Sequence, residues 1–468
     1  MTPLVELALH RILDGEIDLA KDVLRVIERE GDEAMAAQMR GRIELRQKKW
    51  ANAYDYLQRA VSLDRSNPDA WICLGMASYE LGMFEEAATY YRRCIILQPN
   101  FGTQWMKLGA AHGMLQRHAE AFTCFERAVI LDPGSDECHH SLAVQYSIWG
   151  SDEHALFHEQ KALELNPDNI FARVALGATH LRMGNWPEGW RGFEHRWSLP
   201  TPVAPWWYRG QPLYQGTLEG LRGKVVLLRS EQGYGDSIQF CRYAVELAKV
   251  AGHLILETQG GLQRLFKCLP AEIFVAPKME DQVRPLPNDQ LPRWDEQTSL
   301  MSLPLLFGTT PETCPPPVDF GRNLYIRPGR GKVGICWHGG ARYSEPLANA
   351  VDQRRSIPHD KMRDLFLAIP SARSLQQEDL DTDDWLTTAE MIADLRLVIS
   401  VDTAIAHLSA SMGIPTWLLN RYDSCWRWGM KGTTTPWYPA MKIYRQPTLG
   451  DWDSVLERVI ADYKALDL

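Results

Sequence analysis

An α-helical repeat solenoid followed by two α/β units is the fold class predicted by this chain of 468 residues. Three observations carry the prediction. A 34-residue period runs through the first two hundred residues. From Lys224, short apolar strands alternate with helical segments, and a stretch rich in Pro, Gly and aromatics separates the two parts.

The period is the tetratricopeptide (TPR) pattern of paired helices. Trp71 recurs as Trp105, Leu74 as Leu108, Gly75 as Gly109, Ala87 as Ala121, Tyr91 as Phe125 and Pro99 as Pro133. A looser copy keeps Leu142, Ala155, Ala162 and Pro167, another begins at Leu176 and Gly177, and Gly41, Ala53, Leu57 and Ala60 fit upstream. Small residues at Gly75 and Ala87 let the helices of a pair approach, while Trp71 and Tyr91 fill the space around them. About five such repeats stack into a solenoid spanning 1–198. Ile72, Met76, Tyr79 and Met106 either line a groove for a protein or peptide partner or pack between neighbouring helices. His154 and His158 share a helix face but lack a third ligand, so no metal is expected.

The repeats end in "NWPEGWRGFEHRW", whose three tryptophans predict a packed junction. The linker, 199–222, is expected to dock, because Trp206, Trp207 and Tyr208 are poor solvent-exposed residues. "VVLLR", "HLILET", "EIFVA", "KVGICWHGG", "LRLVISV" and "PTWLL" read as buried strands. Helices are expected over 237–250, in "GLQRLFKCL", near 360–368 and 387–393, in "AIAHLSASM" and at the C-terminal end. This gives α/β units over 223–325 and 326–468.

Composition narrows the function. With 45% hydrophobic and 23% charged residues, the chain resembles ordinary soluble proteins. A net charge of −9 argues against non-specific nucleic-acid binding. No apolar run is long enough to span a membrane. Nine cysteines without a CxxC pair, and no signal-peptide pattern, point to reduced thiols and a cytoplasmic setting.

Ligands of parallel sheets bind beyond the carboxyl ends of the strands, and two loops lie there. In "SEQGYGDS", Gly233 and Gly235 begin a dinucleotide fingerprint, but Ile238 stands where its third glycine belongs. Asp236 is a candidate general base, or a helix cap. In "SVDTAIAHL", Asp402 or Thr403 caps the next helix, or the amides of Thr403 and Ala404 hold a phosphate, with His407 on the same face. Between them, "HGGARYSEPLANAVDQRRSIP" reads as a long polar loop ending in Arg354 and Arg355, a pair that suits a diphosphate or a solvated surface.

Together "EQGYGDSIQFCRY", "RRSIP", "SVDTAIAHL" and "TPWYP" make the second half, Lys224 to Tyr463, resemble GT-B glycosyltransferases of the heptosyltransferase-like group. The joined TPR array resembles bacterial TPR proteins with such a domain and, more distantly, the O-GlcNAc transferases. The resemblance implies a GT-B fold of two Rossmann-like units facing a cleft. It implies Asp236 as general base, and Gln232, Gly233, Gly235 and Gln239 in the acceptor-side cleft loop. Arg354, Arg355, Asp402, Thr403, Ala404 and His407 are expected on the donor side, although heptosyltransferases commonly carry lysine at the place of Arg355. "PPPVDFGRNLYIRPGRG" at 315–331 looks shorter than the connection in relatives, and Cys425 stands where they often have Asp. The implied activity is metal-independent, inverting sugar transfer from a nucleotide-sugar, with no further cofactor, to a hydroxyl acceptor, expected to be a protein recruited by the repeats. The alternatives are a TPR scaffold with an inactive transferase-like domain and a lipopolysaccharide or other glycan transferase. Homo-oligomers are compatible with a TPR array.

Overall fold

The computed structural model describes residues 6–7, 10–12, 14–200, 213–276, 278–279, 282–283, 286–322, 332–340 and 346–466. Trp206, Trp207 and Tyr208, and residues 323–331 of the 315–331 segment, lie outside them. The chain divides into two compact units, Met1–Tyr146 with Phe157–Pro167, and Ser147–Leu156 with Asp168–Leu468.

Helix α1 (Ile17–Glu30) precedes helix pairs α2/α3 (Glu33–Arg46, Trp50–Leu63), α4/α5 (Pro68–Glu80, Phe84–Leu97) and α6/α7 (Gly102–Met114, His118–Leu131). Two further pairs follow, α8/α9 (Asp136–Ile148, Asp152–Leu165) and α10/α11 (Ile170–Met183, Trp186–Glu194). Local chemistry sets their ends. The Asn67 side chain accepts from the amides of Asp69 and Ala70, with Pro68 at the first helical position. Asp32 caps α2 through Met35 N–H, and left-handed Gly31 closes α1.

The glycine expected to permit close helix approach does so in three pairs. A Cβ on Gly41 would stand 2.4 Å from Leu57, on Gly75 2.5 Å from Tyr91, and on Gly109 2.8 Å from Phe125. Trp71 packs against the core around Leu57 and Leu74 without being fully enclosed by it. It is half-buried, and its indole N–H donates to the Arg65 carbonyl at 2.9 Å, as Trp105 does to Pro99 at 3.0 Å. Ile72, Met76 and Tyr79 pack around Ala87, Tyr91 and Leu108, and Met106 around Phe125 and Leu142. These side chains are used between helices. His158 lies 2.9 Å from His139, Nδ1 to Nδ1, and stacks on Tyr146, whereas His154 bonds Ser151.

The second unit holds two parallel sheets. Strand β1 (Val225–Arg229) leads into α12 (Tyr234–Phe240) and α13 (Arg242–Leu247), then β2 (His253–Gln259), β3 (Glu272–Ala276) and β4 (Glu296–Ser299). The sheet order is β3-β2-β1-β4. The second sheet comes from β5 (Val333–Cys336), α14 (Pro346–Arg355), α15 (Arg363–Ala368), β6 (Arg373–Ser374), α16 (Trp385–Ala393), β7 (Leu397–Val401), α17 (Ala404–Ser411), β8 (Thr416–Asn420), β9 (Met441–Arg445) and α18 (Asp453–Ala465). Its order is β9-β8-β7-β5-β6, again parallel. "LVISV" is buried at every position, the signature of a strand covered on both faces.

Three expectations change. The helix over 237–250 is two short helices parted at Cys241. "GLQRLFKCL" forms two 3-10 turns, and its Gly261 lies against Asp383 too closely for any side chain, a Cβ there standing 2.2 Å from the carbonyl. Ten of the 21 residues read as a long polar loop are helical. Residues 346–355 contain good helix formers behind Pro346 and form α14, which puts Arg354 and Arg355 in its last turn.

The tryptophan junction belongs to the α/β core. Trp186, Trp190 and Phe193 are buried in the same cluster as Leu228, Phe240 and Trp437. Trp186 stacks on Trp437 at 4.9 Å, Trp190 meets Trp426 edge-on at 5.3 Å, and the Trp190 indole donates to the Thr309 carbonyl at 3.1 Å. Just beyond, buried Arg196 pairs with Glu231 at 2.5 Å and with Glu194 at 2.9 Å.

Candidate functional site

Strand order reverses beside β1 in the first sheet, between β2 and β4, and between β5 and β7 in the second. Loops leaving the carboxyl ends of strands at such points are where α/β sheets place ligands. Three of them carry the candidate residues: 230–233 after β1, 337–340 after β5 and 402–403 after β7.

After β1 the chain turns at Gln232, whose φ of +61° is left-handed. The sharp turn is therefore made by a glutamine and not by the glycines. The Gln232 carbonyl accepts from Gln259 Nε2 at 3.0 Å, which holds the turn against β2. Gly233 is the N-cap of α12, with Asp236 three positions in. Asp236 Oδ2 accepts from Gly233 N–H at 3.0 Å, the returning half of a capping box. Oδ1 pairs with Arg427. Both oxygens of the candidate base are thus engaged.

Gly235 serves a close approach. A Cβ there would stand 2.9 Å from His407 Cδ2 and 3.4 Å from Ala404 Cα, so the first turn of α12 rests directly on that of α17. Gly235→Ala is expected to cost about 1–3 kcal/mol by overpacking. Gly233→Ala, with only the Asp236 carboxylate at 3.5 Å, is expected to stay close to wild type. Thermal unfolding of the two variants checks the contrast.

Gln239 is fully buried. Its Oε1 accepts from Arg427 Nε at 2.9 Å, and its Nε2 has no partner. Arg427 also donates to Cys425 Sγ at 3.2 Å and stacks on Trp426, 4.2 Å from the ring centroid. Burial opposes its charge most strongly, but Asp236, Cys425 and Asp402 together outweigh it and raise its pKa. Cys425 therefore touches the guanidinium that holds Asp236.

The structure separates the two arginines read as a pair. Arg354 turns to Asp423 at 2.9 Å, where Arg421 joins it at 3.4 Å. Arg355 pairs with Asp352 at 2.5 Å and donates to the Asp402 carbonyl at 2.9 Å. It lies over Gly339, where a Cβ would fall 2.3 Å from its guanidinium, and its Nε is buried without an acceptor. Only Arg355 reaches the loop after β7.

Thr403 is the N-cap of α17, but its side chain makes no capping bond. The hydroxyl instead lies 3.0 Å from Ser400 Oγ and 3.6 Å from Cys336 Sγ. Ala404 begins the helix. His407 Nδ1 lies 2.8 Å from the Tyr438 hydroxyl, and Nε2 lies 3.9 Å from Asp402 Oδ1. Burial lowers the His407 pKa to about 4, with Asp402 opposing and Arg427 adding to the shift. Burial would raise the Asp402 pKa, but His407, Arg355, Arg427 and Arg421 together lower it. The imidazole is therefore neutral beside an ionised carboxylate. The folded state refuses a proton that the unfolded chain takes up below about pH 6.5. The penalty grows as pH falls from 6.5 and levels off below about 4, reaching on the order of 3 kcal/mol. Urea stability measured against pH should show this slope in the wild type and lose it in His407→Gln.

The fold brings together Asp236, Gln239, Gly235, Ala404, His407, Asp402 and Arg355, and adds Arg427 and Tyr438. Sequence reasoning quoted Tyr438 only within the motif "TPWYP", with no role, and missed Arg427. The available signal was an arginine between two tryptophans in "CWRWG". Among the described residues no group of three or more His, Cys, Asp or Glu could hold a metal, and no helix is long and apolar enough to cross a membrane.

Residues 68–101 match the family model of the tetratricopeptide repeat. Over 379 residues the chain is 23% identical to Protein FlbA of Caulobacter vibrioides, covering 69% of this chain and 60% of that protein. The chain thus spans less than two thirds of the length of this curated relative. Among solved structures it is similar to TTC0263, a thermophilic TPR protein of Thermus thermophilus, at 19% identity over 38% of this chain and 97% of that one, with a TM-score of 0.34. It is also similar to MamA, at 18% identity over 34% and 92%, with a TM-score of 0.31. One tetratricopeptide repeat is thus matched within an N-terminal run of helix pairs, and the second half contains parallel sheets of the α/β kind.

Proposed function

We propose that the chain is a TPR protein-binding scaffold whose α/β part is a GT-B-like domain with its transfer machinery closed. The observation that carries this reading is the state of Asp236. One oxygen caps α12 and the other is held by Arg427. A carboxylate engaged at both oxygens is a poor acceptor for the proton of a substrate hydroxyl. The TPR array supplies the partner-binding surface.

A second reading, an active inverting glycosyltransferase of the cytoplasm, is favoured by a different observation. Arg355 Nε and Gln239 Nε2 are buried without acceptors beside Asp402 and Asp236. Unsatisfied buried donors are costly, and a bound anion would satisfy them. In this reading Asp236 takes the acceptor proton, and Arg355 with the amides at Thr403 and Ala404 steadies the leaving nucleotide, without a metal. The acceptor is a protein held by the repeats or, in a variant of the reading, a glycan.

Thermal unfolding with a panel of nucleoside mono- and diphosphates separates the two. The scaffold reading expects no shift from any of them. A ligand at a hundred times its Kd would add about 2.7 kcal/mol and a clear rise in Tm, which would overturn the closed-domain reading.

A further inference from the structure

We propose that the groove between helices α3 and α5 of the first unit docks a short acidic segment of a partner protein, anchored by an apolar side chain. The groove is shallow and open to solvent, offers about 710 Å³, and is lined by Arg59, Arg65 and Arg93 around Trp71 and Tyr90, with Asp55 as its one acidic residue. That volume suits a few side chains of a peptide.

The walls are fixed before any partner arrives. Trp71 is held by its indole bond to the Arg65 carbonyl at 2.9 Å, and the Tyr90 ring sits 5.8 Å away, tilted by 35°. Two half-buried aromatic faces thus form a rigid apolar floor, which costs little conformational entropy to use. The cations differ from one another. Arg59 is paired with Glu33 at 3.1 Å. Arg65 and Arg93 are exposed and have no ion pair among the described residues. Guanidiniums at the rim of an aromatic floor match carboxylates flanking an apolar residue.

The groove is not a generic product of the repeat. One period on, Trp71 becomes Trp105 and Arg93 becomes Arg127, but Arg65 becomes Pro99 and Tyr90 becomes Cys124. The unpaired rim arginine and the second aromatic wall are absent there. A long polyanion is disfavoured by the net charge of −9 on the whole chain, whereas a short segment meets a rim in which Arg59, Arg65 and Arg93 outnumber Asp55.

The inference rests on the partner-binding reading above. Its test uses the full chain and a fluorescein-labelled, end-blocked peptide, Asp-Glu-Phe-Glu-Asp, followed by fluorescence polarisation. The peptide is expected to bind, and Arg65→Glu/Arg93→Glu is expected to weaken it about tenfold or more. Arg65→Lys/Arg93→Lys is expected to keep most of the affinity. Both sites are exposed, and unchanged circular dichroism confirms that the variants fold. Absent binding, equal binding of an Asn/Gln analogue, equal binding by the charge-reversed variant, or tighter binding of a single-stranded oligonucleotide would each overturn the proposal. The broader reading fails separately, if residues 168–468 alone capture a natural partner as well as the full chain does.

Discussion

A chain starting at residue 168 is expected to fold, and one starting at residue 196 to aggregate. The reason lies in helix α11. Trp190 is 2% exposed, Trp186 4% and Phe193 8%, all within the core that also contains Phe240, Trp437 and strand β1. Removing a buried Phe or Trp side chain costs about 3–5 kcal/mol. Three such losses exceed much of the roughly 5–15 kcal/mol that holds a domain together. The cut at 196 also strips Glu194 from Arg196, which remains paired with Glu231. Expression of both chains, followed by gel filtration and circular dichroism, checks the contrast. A monodisperse, cooperatively melting chain from residue 196 would mean that α11 is dispensable to the core.

Arg427→Met is expected to be among the most damaging single substitutions in the α/β part. The pair it forms with Asp236 is largely buried, with side-chain exposures of 10% and 18%. Breaking a buried pair from one side costs about 3–5 kcal/mol, because the remaining charge is left uncompensated. Asp236→Asn is expected to be destabilising too, through the buried guanidinium it leaves behind. The double variant should lose less than the sum, with a coupling of about 0.5–3 kcal/mol. Thermal and urea unfolding of the four proteins gives the cycle, and strict additivity would show that the two residues act independently. The same cycle bears on function. Under the scaffold reading, Asp236→Asn leaves partner binding unchanged, whereas under the transferase reading it abolishes transfer.

The helix pairs and the parallel strands were legible in the sequence because each rests on a local period. Gly41, Gly75 and Gly109 recur in register with Leu57, Tyr91 and Phe125, and the same contact recurs in three dimensions. Strands such as "LVISV" are apolar without alternation because both faces are covered. Helix α14 was missed because a glycine-bearing start and a polar composition look like a loop, and its helical character rests on propensity without an amphipathic stripe.

The candidate site was legible only as a set of loops. The placement of "SEQGYGDS" and "SVDTAIAHL" after strands was readable from order alone. Which side chain meets which was not. Arg354 and Arg355 are adjacent in sequence, yet one turns to Asp423 and the other to Asp352 and the Asp402 carbonyl. Asp236 and Arg427 are 191 positions apart, yet they form one ion pair.

By itself the sequence determined the repeat length, the helix pairing and the parallel strands, because periodicity and capping act over a few residues. Only the tertiary structure decided that the last helix pair joins the α/β core and that Asp236 is occupied. Both depend on aromatic packing and charge pairing between segments far apart in the chain, and no local pattern encodes that distance.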